Sequence, residues 1–132
     1  MIVVDTSVWI GARRDPHVAA ALDALIDADE VALALPVRLE LLAGTAKKDR
    51  ASFNRAFSAL AQLVPTDDTW RRLPDWIERA ADAGARFAFV DLLIGALAAE
   101  AGALVWSLDS DFERMERLTF VSRYDPPPLH AR

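Results

Sequence analysis

Four acidic residues sit inside apolar sequence, where a carboxylate is least at home. Asp5 ends the run Ile2-Val3-Val4, and Glu40 lies in Leu39-Glu40-Leu41-Leu42. Asp91 lies in Phe89-Val90-Asp91-Leu92-Leu93, and Asp109 follows Leu104-Val105-Trp106-Ser107-Leu108. Carboxylates brought close together disfavour one another's charge, and partial burial adds to the effect. A converging set must therefore share protons or bind a cation. Arg38 is the only base adjoining these positions, so a cation is the simpler solution. An all-oxygen donor set suits magnesium, or manganese, rather than zinc or copper. The rest of the chain agrees: it has no cysteine, and its two histidines, His17 and His130, have no ligand-type partner nearby and read as surface residues.

Magnesium keeps several waters and is usually held by one or two carboxylates plus substrate phosphate. On that pattern Asp5 and Asp91 are the direct ligands, while Glu40 and Asp109 act through water. Asp111 is a candidate outer ligand, and the hydroxyls of Ser7 and Ser107 fix carboxylate rotamers. The expected chemistry is in-line attack of water on a phosphodiester. It should leave 5′-phosphate and 3′-hydroxyl ends, because no pair of histidines is placed to recruit a ribose 2′-hydroxyl. Taken singly, each acid has a blander reading. Asp5 can begin a turn, Asp91 can cap a helix, Glu40 can pair with an arginine, and Asp109 can open the turn before Ser110. Asp111 can simply meet a helix dipole. The recurrence of one anomaly at four positions favours the joint reading.

The elements that must bring these acids together follow from pattern. Ile2 to Val4 is a short buried strand, whose C-terminal end is where open α/β sheets keep their ligands. Thr6 or Ser7 can cap a short helix containing Trp9 and Ile10. Asp15-Pro16 opens a helix with Val18, Leu22, Leu25 and Ile26 on one face. Val31 to Leu35 is a second strand, and Pro36 opens a helix closing near Gly44, with Glu40 on the face of Val37 and Gly44. Phe53, Phe57 and Leu60 mark a helix ended by Pro65. Thr69 to Ala83 is another, with Trp70, Leu73, Ile77 and Ala80 inward, Gly84 as its stop and Pro74 either kinking it or marking its start. Asp91 to Ala101 is a buried helix, and Ala103 to Leu108 is a strand. Ser110-x-x-Glu113 is a capping box for a helix through Leu118, Thr119 to Val121 is a last strand, and Pro126 to Pro128 is an extended tail. Alternating strands and helices give an α/β sandwich around a small, mainly parallel sheet. The helical pair between Lys48 and Gly84 is expected to stand beside it as an arm.

The length of 132 residues fits one domain, 1–132, and 53% hydrophobic with 27% charged residues is an ordinary globular balance. The absence of cysteine fits a reducing cytoplasm, and the N-terminus lacks the basic region of a signal peptide. No apolar stretch is long enough to span a bilayer, so no membrane role is expected. The net charge of −5 weighs against a nucleic-acid partner, but bound metal would offset the clustered acids. Arg13-Arg14, Lys47-Lys48 with Arg50, and Arg71-Arg72 offer local phosphate-binding patches.

Asp5-Thr6-Ser7, the helical Glu40, Asp91-Leu-Leu-Ile-Gly-Ala-Leu-Ala98 and Ser107-Leu-Asp109-Ser-Asp111-Phe112 together resemble the PIN domain in order and approximate spacing. In length and layout the whole chain is similar to VapC toxins of bacterial toxin–antitoxin pairs. The resemblance implies a PIN-like three-layer sandwich and a magnesium-dependent endoribonuclease acting on structured or translation-linked RNA, often transfer RNA. It also implies a homodimer and a cognate VapB antitoxin that covers the active-site groove. The family's acidic set falls on Asp5, Glu40, Asp91 and Asp109. Ser107 stands where the family commonly has threonine, and Gly95 where alanine is more usual. Trp9, Trp70, Trp76, Phe53, Phe57, Phe87 and Phe89 could frame a groove for an amphipathic partner helix. The alternatives are a PIN-like module that binds RNA or protein without cutting, and a receiver-type phosphotransfer domain. The second wants a late lysine, and none follows Lys48.

Overall fold

A computed structural model describes residues 1–128; His130 therefore lies outside the described residues. The sheet has four parallel strands in the order β3-β2-β1-β4, with β1 Ile2–Val4, β2 Val31–Ala34, β3 Ala61–Leu63 and β4 Leu104–Trp106. Because successive side chains of a strand point to opposite faces, Ile2, Val4 and Trp106 enter one core while Val3 and Val105 enter the other. Helices α1 (Thr6–Gly11) and α2 (Pro16–Asp27) cover the first face through Val8 and Leu22. Helices α3 (Leu35–Ala43), α5 (Asp67–Asp82), α6 (Phe89–Ala101) and α7 (Asp111–Arg117) cover the second, with α4 (Arg50–Ser58) at its margin. The result is the expected three-layer α/β sandwich.

α6 is the centre of the second layer. Leu92 through Ala98 are all buried, so it is covered on every side. Its neighbours crowd Gly95: a Cβ there would meet Val121 Cγ1 at 3.2 Å, Trp76 Cζ3 at 3.3 Å and Met115 Sδ at 3.4 Å.

The structure corrects several expectations. The segment after α4 is not helix up to Pro65 but contains β3, an edge strand with Ala61 and Gln62 exposed. Arg38, on α3, reaches toward this edge, donating to Gln62 Oε1 at 2.9 Å and Ser58 Oγ at 3.0 Å. Nor do α4 and α5 stand apart as an arm, since Leu73, Trp76 and Ala80 of α5 belong to the main core. The inner face of α5 is Thr69, Leu73, Trp76 and Ala80, whereas Trp70 and Ile77 are each 48% exposed. Thr69 can be buried because its hydroxyl donates to Glu100 Oε2 at 3.1 Å and accepts from the Thr66 backbone N–H at 2.9 Å. Pro74 lies exposed inside an unbroken helix.

At α7 the Ser110 side chain makes no capping bond; Asp109 Oδ1 instead accepts the Asp111 backbone N–H at 3.0 Å. Thr119 to Val121 is not a strand. Thr119 N–H donates to Glu116 O and Phe120 N–H to Met115 O, a Schellman ending with Thr119 at φ +63°. The sheet contact comes later, as a parallel bridge between Val105 and Arg123. α5 ends in the same way, with Gly84 at φ +72° in the left-handed position.

The crowding at position 95 yields a direct test. Gly95→Val should destabilise the protein by about 1–3 kcal/mol, the cost of overpacking a filled core, read as a lower urea midpoint with an unchanged m-value. An unchanged midpoint would mean that Val121, Trp76 and Met115 give way freely.

Candidate metal centre

In this strand order the chain leaves β1 toward β2 on one side and returns to β4 on the other. The switch between β1 and β4 opens the crevice at the C-terminal ends of the strands where such sheets hold ligands. Asp5 directly follows β1, and Ser107 to Asp109 directly follow β4. The two ends are tied by the Asp5 backbone N–H, which donates to Trp106 O at 2.9 Å.

Asp5 is 6% exposed, one of the few buried polar side chains. Its Oδ2 accepts from Ser7 Oγ and Ser107 Oγ, each at 2.8 Å. Those hydroxyls in turn accept backbone N–H groups, Leu108 to Ser7 at 3.0 Å and Asp109 to Ser107 at 2.9 Å. A hydroxyl has one proton to give. With both protons spent on Asp5, the 3.2 Å approach of the two serine oxygens carries no hydrogen bond of its own. The serines thus clamp Asp5 and splice the start of α1 to the loop after β4.

Asp91 lies in the first turn of α6, two residues inside the helix, so it is not the N-cap; that position is Ala88. One carboxylate oxygen each from Asp91, Asp109 and Asp111 lie within 4.8 Å of one another. Asp5 and Glu40 are outside that group, yet their charges act on Asp91. The Asp91 carboxyl is pushed up from its ordinary 3.8 to about 7, first by partial burial and then by the charges of Asp5, Asp109, Asp111 and Glu40 in that order. Glu40 is exposed at the rim of α3 rather than on the buried stripe of Val37 and Leu41. Among the described residues it pairs with no arginine; Thr6 Oγ1 donates to its Oε1 at 3.0 Å.

Two residues at the site take parts that the sequence does not assign them. Thr6 orients Glu40 across 34 positions, and nothing local signals that contact. Arg114 donates from Nη2 to Asp111 Oδ1. The i,i+3 spacing of Asp111 and Arg114 on a helix was the available signal. The donor set as folded fits a hard divalent cation: it is all oxygen, negative and partly buried. Among the described residues, Arg114 is the one base in a salt bridge with any of these acids.

The raised Asp91 value fixes the sign of a pH effect. Its contribution to metal-free stability is fully present below the unfolded value near 3.8 and is lost as pH rises through about 7. In EDTA, the melting temperature of Asp91→Asn minus that of the unsubstituted protein should therefore grow from pH 5 to pH 8. A difference that stays flat across this range would mean that neither burial nor the neighbouring charges raise Asp91.

The PIN domain model matches residues 2–118. Ribonuclease VapC18 of Mycobacterium tuberculosis is 32% identical over 121 residues, spanning 88% of each chain. Among solved structures, VapBC-5 of Mycobacterium tuberculosis, a member of the VapBC family of toxin–antitoxin systems, is 30% identical with a TM-score of 0.63, covering 92% of this chain and 97% of that one. FitAcB of Neisseria gonorrhoeae is similar in fold, with a TM-score of 0.74 at 22% identity over 96% of this chain and 98% of that one. With a family model matched over most of its length and a VapC relative above 30% identity, this chain belongs to the PIN-domain family.

Proposed function

We propose that this protein is a magnesium-dependent endoribonuclease, the toxin of a toxin–antitoxin pair. The observation that carries the reading is Asp91: half-buried, in no salt bridge among the described residues, and facing the charges of four other acids. A relative bears the name ribonuclease, and a solved neighbour is a VapBC toxin–antitoxin member. Both support RNA as the substrate class and a VapB-type antitoxin as the partner. The homodimer expected from the resemblance belongs to the same proposal.

Asp5 and Asp91 would hold the metal directly, with Asp109, Asp111 and Glu40 engaging it through water; the close approach of the Asp91, Asp109 and Asp111 oxygens supports counting Asp111 in the set. Magnesium, with manganese as a substitute, would supply charge neutralisation at the phosphodiester and a more acidic water. The chain's own residues do the rest. Ser7 and Ser107 hold Asp5 in one rotamer, and Glu40, steadied by Thr6, orients the attacking water and accepts its proton. The new bond joins water oxygen to phosphorus, the bond to the 3′ oxygen breaks, and that oxygen takes a proton from solvent. The products are a 5′-phosphate and a 3′-hydroxyl.

Asp5→Asn should lower magnesium-dependent RNA cleavage by at least about a hundredfold, the scale of removing one electrostatic stabiliser from an active site. The amide oxygen can still accept from both serines, so circular dichroism should show an intact fold. Cleavage that persists in this variant, or in unsubstituted protein held in EDTA, would remove the assignment.

A further inference from the structure

We infer that Arg114 is a positioning residue for the acid cluster, holding the Asp111 carboxylate from outside while the Phe87 ring holds Arg114. The inference rests on the metal-centre reading above and adds a part to it. Arg114 donates from Nη2 to Asp111 Oδ1, and its Cζ lies 4.9 Å from the centre of the Phe87 ring. Phe87 is buried and meets Phe120 edge-on at 6.5 Å, and Phe120 stacks on Trp76 at 4.4 Å. The guanidinium therefore rests on a seat built from the main core, not on a mobile surface.

Asp111 is secured at both ends. Its backbone N–H is bound by Asp109 Oδ1, and its carboxylate is bound by Arg114. An aspartate in the first turn of a surface helix otherwise samples several rotamers, and a ligand must then order it. Arg114 has two opposed effects on a cation. Its charge repels the ion, while its hydrogen bond orders the carboxylate that would engage the ion through water. With side chains 41% and 26% exposed for Arg114 and Asp111, solvent screens the repulsion. The same solvent weakens the Arg114–Asp111 ion pair, but the hydrogen bond still fixes the direction of the carboxylate, and we take that ordering to outweigh the repulsion.

The test is manganese binding to the full chain, followed by electron paramagnetic resonance without RNA present. Arg114→Met should bind manganese about tenfold more weakly, the low end of the loss on removing an outer partner of a metal ligand. Arg114→Lys keeps the charge but not the planar fork and should fall between the two, which also covers a methionine variant that folds poorly. In an Asp111→Asn background, Arg114→Met should have no further effect. Binding as tight as, or tighter than, that of the unsubstituted protein would make Arg114 a mere repelling charge and overturn the inference. A full loss repeated in the Asp111→Asn background would overturn it too, placing its action elsewhere. If the unsubstituted chain binds no manganese at all, the metal-centre reading itself fails, an outcome distinct from either of these.

Discussion

The constraint on which this molecule turns is the partial burial of Asp91 among other negative charges. A carboxylate that is half-buried and surrounded by its own kind is costly to keep ionised, and the cost grows as water is excluded. Here the charged contributors are spread over most of the chain: Asp5 just after the first strand, Glu40 from α3, and Asp109 and Asp111 beyond the last strand. No local stretch creates the effect. It appears only when the sheet closes.

Sheet order is what closes it. Had β4 added to the outer side of β3, Asp109 would sit three strands from Asp5. The order β3-β2-β1-β4 instead makes β1 and β4 neighbours, aligned from Ile2 with Leu104 to Val4 with Trp106. That register puts Ser107 one step beyond the last paired residue, level with Asp5, and so lets its hydroxyl reach the same carboxylate oxygen as Ser7 does. α6 then enters over this crevice with Asp91 in its first turn, and the tight packing at Gly95 sets how deep the helix sits.

What could be read in the sequence was whatever burial dictates. Ile2 to Val4 and Leu92 to Ala98 are apolar because they are covered on all sides, so their elements and the acids at their ends announced themselves. β3 was not legible for the converse reason: Ala61-Gln62-Leu63 is an edge strand, half in solvent, and needs no β-branched or alternating pattern. The inner face of α5 differs from the one its pattern predicts because two apolar sets share its helical period. Which set turns inward is decided by Thr69, whose burial depends on a partner 31 positions away. The end of α7 is not legible in the sequence because a threonine fills the left-handed position that usually advertises itself with glycine. At the site, the acids were visible but their orienting partners Thr6 and Arg114 were not, since hydroxyls and arginines are common on any surface.

The bland readings of the acids fare unevenly once folded, and the pattern bears on whether the site cuts or merely binds. Asp109 does act as a local cap, yet that bond uses Oδ1 alone and steadies the carboxylate beside Asp91 and Asp111. A structural duty and a place in the cluster are therefore compatible. Asp91 has no such duty: it is not the cap of α6, and it makes no salt bridge among the described residues. A module that only gripped RNA would gain nothing from it, because an unpaired, half-buried carboxylate repels phosphate and burdens the fold. A basic or aromatic residue there would bind better at lower cost. Carboxylates kept crowded against their own interest make sense when something positive is to be held among them and put to chemical use.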